Sequence, residues 1–147
     1  MIQCLNESMI QCLNDSMNRP KGYAFNRTRT TYLATDLLIA RTHWSRFRGL
    51  MATNSSRFSH GQGLWINPSH GIHTFAMRFP IDAVYLDRDR IVIHIEEDLK
   101  PWRVAAVRVH AASVLELPTG TIRESQTALG DQVDISFEER PVHTEAA

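Results

Sequence analysis

The chain has 147 residues, 16 basic and 16 acidic side chains, 43% hydrophobic and 22% charged residues, which are ordinary values for one compact domain with its own core. Zero formal net charge removes the uniform field on which a whole-surface polyanion binder depends, so no nucleic-acid partner is expected. No apolar run approaches the length of a spanning helix, so no membrane span is expected, and a chain of this size needs no disulfide or metal staple.

The chain starts with a tandem octapeptide, Met1 to Ser8 followed by Met9 to Ser16, in which only Glu7 against Asp15 differs. Both cysteines, Cys4 and Cys12, lie inside the copies, so their spacing reflects duplication and not ligand geometry. The segment carries Asn, Glu and Asp where a secretory signal needs an apolar stretch, and cytoplasmic residence is the expectation. Met17 to Arg48 holds seven basic residues against one acid, which reads either as a basic arm for an anionic partner or as a solvated leader. We expect residues 1–30 to form a leader, residues 31–138 one β-rich domain, and residues 139–147 a flexible tail.

Within the domain, Thr35 to Ala40 reads as a strand leading into a short helix, His43 to Arg48, capped by Thr42 and stopped by Gly49. From residue 63 onward apolar and polar residues alternate, the mark of strands. Ile72 to Phe79 read as extended places His73, Phe75, Met77 and Phe79 on one face and Ile72, Thr74, Ala76 and Arg78 on the other. After Pro80 the alternation puts the Asp82 carboxylate with Val84 and Leu86 on an apolar face. Ala83 to Leu86 and Ile91 to Ile95, joined by Asp87-Arg88-Asp89-Arg90, predict an antiparallel hairpin with Ile91, Ile93 and Ile95 on one side. Leu115 to Leu117 is a strand ending at Pro118, with Glu116 opposite its two leucines. Gly120 and Gly130 are turns around a short helix in Thr121 to Leu129, and Val133, Ile135 and Phe137 mark a last strand. The fold class is mainly β: a small antiparallel β-sandwich or barrel-like domain with one or two short helices.

Several of these residues carry chemistry. His70, His73 and Met77 form a candidate copper or zinc set, since imidazole and thioether suit such metals, while a lone histidine among apolar groups equally reads as a hydrogen-bonded core residue. Asp82 must be paired, and Arg46, Arg48 and Arg78 are the available partners; an Arg46–Asp82 ion pair would tie the first helix to the sheet. Read catalytically, His73 with Asp82 or Glu116 is an acid-base pair for a hydrolase or lyase. Read as a binding module, Trp65, His73, Thr74, Met77, Trp102 and Arg103 line a pocket at one mouth of the sandwich, with Trp102 a basic aromatic corner for an anionic or sugar-like ligand. The partner in that case is a small molecule or a protein, and no cofactor is specified.

Taken in order, Arg46-Phe47-Arg48-Gly49-Leu50-Met51, Gly63-Leu64-Trp65-Ile66, Ile72-His73-Thr74-Phe75-Ala76-Met77 with Pro80-Ile81-Asp82, Pro101-Trp102-Arg103, Val114-Leu115-Glu116-Leu117-Pro118 and Gly130-Asp131 resemble the domain of unknown function family 192. The resemblance covers residues 33–137 and implies a small mainly-β sandwich of bacteria and archaea without an assigned activity. Many relatives carry a signal peptide or lipoprotein leader, from which the duplicated polar start departs. The family's recurring positions fall on Arg46, Gly49, Leu50, Met51, His73, Met77, Asp82, Glu116, Gly120 and Asp131, and the resemblance brings no role for any of them.

Overall fold

The computed structural model describes residues 22–40 and 58–137, and there the chain is mainly β. The elements are β1 (Gly22–Asn26), β2 (Thr31–Ala40), β3 (Gln62–Ile66), β4 (Ile81–Leu86), β5 (Val92–Leu99), β6 (Ser113–Pro118), α1 (Thr121–Ser125) and β7 (Val133–Phe137). The expected strand before residue 40, the β4–β5 hairpin, the strand ending at Pro118, the short helix after Gly120 and the last strand are all present. The leader boundary needs correction, because Gly22–Asn26 is not leader but a strand paired with both β2 and β7. The helix expected at His43 to Arg48, and with it Arg46, lies outside the described residues, as do both termini.

All seven strands join one sheet in the order β5-β4-β6-β3-β2-β1-β7. Neighbours are antiparallel except β2 and β3, which run parallel, so the sheet is mixed. It curls until its edges touch at one corner: Ile91 bridges Gln132, the Val92 N–H donates to the Asp131 carbonyl at 2.9 Å, and the Val133 N–H to the Arg90 carbonyl at 3.0 Å. The barrel-like form is thus a half-barrel made from one curled sheet.

Curling gives the sheet two buried faces. Inside it, Leu37, Trp65, Val84, Leu115 and Val133 come from strands across the whole sheet, and Ile122 of α1 closes one end. Outside, Leu64, Ile81, Ala83, Tyr85 and Val114 are covered by Ile72, Met77, Phe79 and Ala105 from two loops. Burial on both sides explains why every residue of β4 is buried.

Two register shifts in the β4–β5 pair alter what the alternation predicts. Leu86 pairs with Val92 while Tyr85 pairs with His94, so the extra residue, Ile93, joins the outer cluster whereas Ile95 packs against the inner one. Ile93 and Ile95 therefore do not share a face. The second shift lies between Ile81, opposite Leu99, and Ala83, opposite Glu96, and contains Asp98 at φ 53. That bulge turns the Asp98 N–H onto the Asp82 carboxylate.

Candidate functional site

The outer face of the sheet is roofed by residues 69–80 and 100–112, which run against each other as an irregular ribbon. The Thr74 N–H donates to the Arg103 carbonyl at 2.8 Å, the Ala105 N–H to Ile72 at 3.0 Å and the Arg108 N–H to His70 at 2.8 Å. Between His73 and Val104 there is one isolated bridge, so residues 72–79 are not the regular strand that alternation suggested. The reason is local: Phe75 and Ala76 make a turn, with Ala76 at φ 59. As a result the facing departs from expectation. Ile72, Thr74, Met77 and Phe79 point inward and are buried, while His73 and Phe75 point outward.

Thr74 holds the ribbon together. It is fully buried; its hydroxyl donates to the Lys100 carbonyl at 2.6 Å and accepts from the Arg103 N–H at 2.9 Å, and its carbonyl accepts from the Trp102 N–H at 2.9 Å. These bonds fix Trp102 in a left-handed backbone conformation, φ 62, which costs a non-glycine residue roughly 1 kcal/mol or more. The strained residue is 64% exposed, so burial of its own side chain does not offset the cost. Its indole lies 6.3 Å from the Phe75 ring, which stacks on the His73 imidazole at 4.9 Å and 25°. Three rings thus stand in a row on the surface. Arg78, Arg103 and Arg108 of the same ribbon are exposed, none in an ion pair among the described residues, the Arg108 guanidinium lying 3.4 Å from the His94 Nδ1 on β5; neither Ser69 to Pro80 nor Lys100 to Ser113 contains a carboxylate.

The other expected site residues lie elsewhere. Trp65 is buried on the inner face, stacked on Phe137 at 6.0 Å with the Arg90 guanidinium 5.2 Å from its ring, so it does not share a pocket with Trp102. The His70 Nδ1 lies 2.6 Å from the Ala111 carbonyl, and the ring lines an open cleft of about 720 Å³ with Arg88, Asp89 and His110. Met77 is 4% exposed inside the outer cluster. The three members of the supposed metal set therefore have three different surroundings, and no group of three or more His, Cys, Asp or Glu among the described residues is arranged to hold a metal.

Asp82 accepts the Asp98 N–H at 2.9 Å on Oδ1 and the Ile122 N–H, in the first turn of α1, at 2.9 Å on Oδ2. Arg78 forms no ion pair with it, and Arg46 lies outside the described residues. Its hydrogen-bond partners among the described residues are backbone amides. Glu116 projects from the opposite face, as expected, level with Ala83 and Leu64. Burial pushes its carboxyl up to about 8, so it is mostly protonated at neutral pH. Nearby Tyr85 is fully buried, its hydroxyl has no hydrogen-bond partner among the described residues, and burial together with the Glu96 and Glu116 carboxylates pushes its phenol up to about 12 against the opposing pull of Arg108. His94 bonds Glu96 at 2.9 Å beside it. Neither Asp82 nor Glu116 makes a hydrogen bond with His73.

Reasoning from sequence missed Val104, Val107 and Val109, which are 66, 64 and 75% exposed on the same ribbon. The signal available was the run Arg103-Val104-Ala105-Ala106-Val107-Arg108-Val109, apolar yet interrupted by arginines and matching neither strand nor helix periodicity.

The family profile described as DUF192, Uncharacterized ACR, matches residues 24–135. A UPF0127 protein of Thermococcus sibiricus is 32% identical over 119 residues, covering 78% of this chain and 75% of that protein. Two crystal structures share the fold: a protein of unknown function from Novosphingobium aromaticivorans, with TM-score 0.66 and 18% identity over 77% of this chain and 82% of that one, and a protein from Sinorhizobium meliloti described as a candidate transcription regulator, with TM-score 0.64 and 20% identity over 78% and 92%. At these identities the two structures speak for the fold alone. On the profile match and the archaeal relative together, the chain belongs to the DUF192 family, whose curated relatives are the UPF0127 proteins.

Proposed function

We propose that this protein is an interaction module that works through the outer surface of its ribbon, with Trp102, Phe75 and His73 as a ring platform and Arg78 and Arg103 as a basic rim. The observation that carries the reading is Trp102: a large aromatic held in a strained backbone by a buried threonine and left in solvent. Strain of this kind persists only where surrounding structure over-determines it, and it concentrates at binding and catalytic positions. In this reading Thr74 and Met77 are the platform's internal supports and touch no partner.

The acid-base reading has less to stand on. Asp82 and Glu116 project from opposite faces of the sheet, His73 bonds to neither, and the Asp82 oxygens are engaged by backbone amides.

The test is tryptophan fluorescence and thermal shift of the full chain against a panel of acidic oligosaccharides, acidic peptides and anionic vesicles. Binding to one class, lost in Trp102→Ala and Phe75→Ala with the melting temperature retained, is the expected result. Silence of the wild type towards every member would remove the reading.

A further inference from the structure

We propose that the partner of this face is the surface of an anionic lipid bilayer, on which the protein docks peripherally; this rests on the reading of the ribbon as the working surface. Of the eight large hydrophobic residues exposed among the described residues, five stand on this ribbon: Phe75, Trp102, Val104, Val107 and Val109. Such clustering is unusual on a surface meant only for water. The same ribbon displays Arg78, Arg103 and Arg108 and holds no carboxylate of its own; Asp98, just before it in the chain, is paired with Lys100, and Asp87 and Asp89 line the cleft beside Val109 at its far end.

Apolar and basic groups alternate residue by residue, as Trp102, Arg103, Val104 and then Val107, Arg108, Val109. A headgroup boundary rewards that interleaving, because aliphatic tips and rings enter the acyl edge while arginine stems lie along them and the guanidinium heads stay at phosphate depth. Other partners use only part of the pattern. A single nucleic-acid strand takes up rings and arginines but has no use for valine tips. A protein partner usually meets a charge-depleted core inside a polar rim, whereas along residues 102–109 arginines stand between the apolar side chains. Ring, valine and arginine together match a bilayer. The attachment proposed is to the surface, through side chains of the ribbon, and no described helix is long and apolar enough to span a membrane.

The experiment is co-sedimentation of the full chain with vesicles of phosphatidylcholine, alone or doped with phosphatidylglycerol, at low and high salt, with a fluorescent single-stranded oligonucleotide and an acidic oligosaccharide as soluble controls. Binding to doped vesicles only, weakened by salt, blue-shifting the tryptophan emission in wild type but not in Trp102→Phe, is expected. Arg103→Ser and Arg108→Ser should each weaken it about fivefold, and the double variant Val104→Asp/Val107→Asp should abolish it with an unchanged melting temperature. Equal binding to both vesicle types, no binding, or binding that these substitutions leave untouched overturns the proposal; in the last case basic residues elsewhere, such as Arg41 and Arg48, would be carrying it. If vesicles fail while a soluble control binds and Trp102→Ala removes that binding, the lipid proposal falls and the platform reading stands. If neither binds, both fall.

Discussion

Asp82 pairs with Leu117 and Ala83 with Glu116 across the same two strands, so the buried carboxylates of Asp82 and Glu116 lie on opposite faces of one sheet. One meets the inner cluster and the other the outer, and each has found a different way to be buried. Asp82 is held by two backbone N–H groups that the β5 bulge and the start of α1 leave unpaired. Glu116 instead loses its charge.

Replacement of Asp82 by Asn swaps one acceptor oxygen for an amide that faces an N–H. The bulge and helix start lose a charge-assisted bond, and stability should fall by about 1.5–3 kcal/mol, lowering the melting temperature by roughly 5 to 10 °C. Thermal unfolding with unchanged ligand responses checks this. Loss of binding without loss of stability would reinstate Asp82 as a functional group.

Glu116 sets an alkaline limit. Its folded value near 8 stands above the ordinary 4.5, so the folded state is best favoured below pH 4.5, weakens as pH climbs and reaches its lowest contribution above 8. Urea midpoints should therefore decline from pH 5 to pH 9, and Glu116→Gln should flatten that decline and exceed the wild type at pH 9 by about 2–4 kcal/mol.

The opposite sign applies to Asp131. Burial alone would raise its carboxyl, but the Arg29 guanidinium, the Asn26 amide and the Ala128 N–H outweigh it and hold the group below its usual range. Its contribution is present above the unfolded value and lost as pH falls through the folded one. Asp131→Asn should cost about 2–3 kcal/mol at neutral pH and remove part of the acid-side loss, as acid titration by circular dichroism would show.

The two tryptophans should separate cleanly. Trp65→Ala empties a buried site between Phe137 and Arg90 and should cost about 3–5 kcal/mol. Trp102→Asn, with a residue that tolerates φ 62, should leave the melting temperature unchanged or raise it, while abolishing whatever binding the platform supports. A large fall for Trp102→Asn would mean that the indole is packing and not presentation.

The amino-acid order by itself determined the mainly-β class, the β4–β5 hairpin, the stop at Pro118, the turns at Gly120 and Gly130, and the apolar company of Asp82, because period-two alternation and turn chemistry are local properties. Tertiary structure decided what local pattern cannot carry. Bulges in β5 placed Ile93 and Ile95 on different faces, although both read as one stripe. The turn at Phe75 and Ala76 put Met77 and Phe79 on the opposite side from His73, since the shared face of His73 and Met77 holds only in a regular strand. The curl of the sheet drew Trp65 inside it and left Trp102 on the outer ribbon, since side of sheet depends on which strands pair and not on residue type. Lastly, the valines and arginines of 103–109 became a surface only because Ile72, Thr74 and Ala105 took the buried side of the ribbon, a choice made by the cluster beneath them.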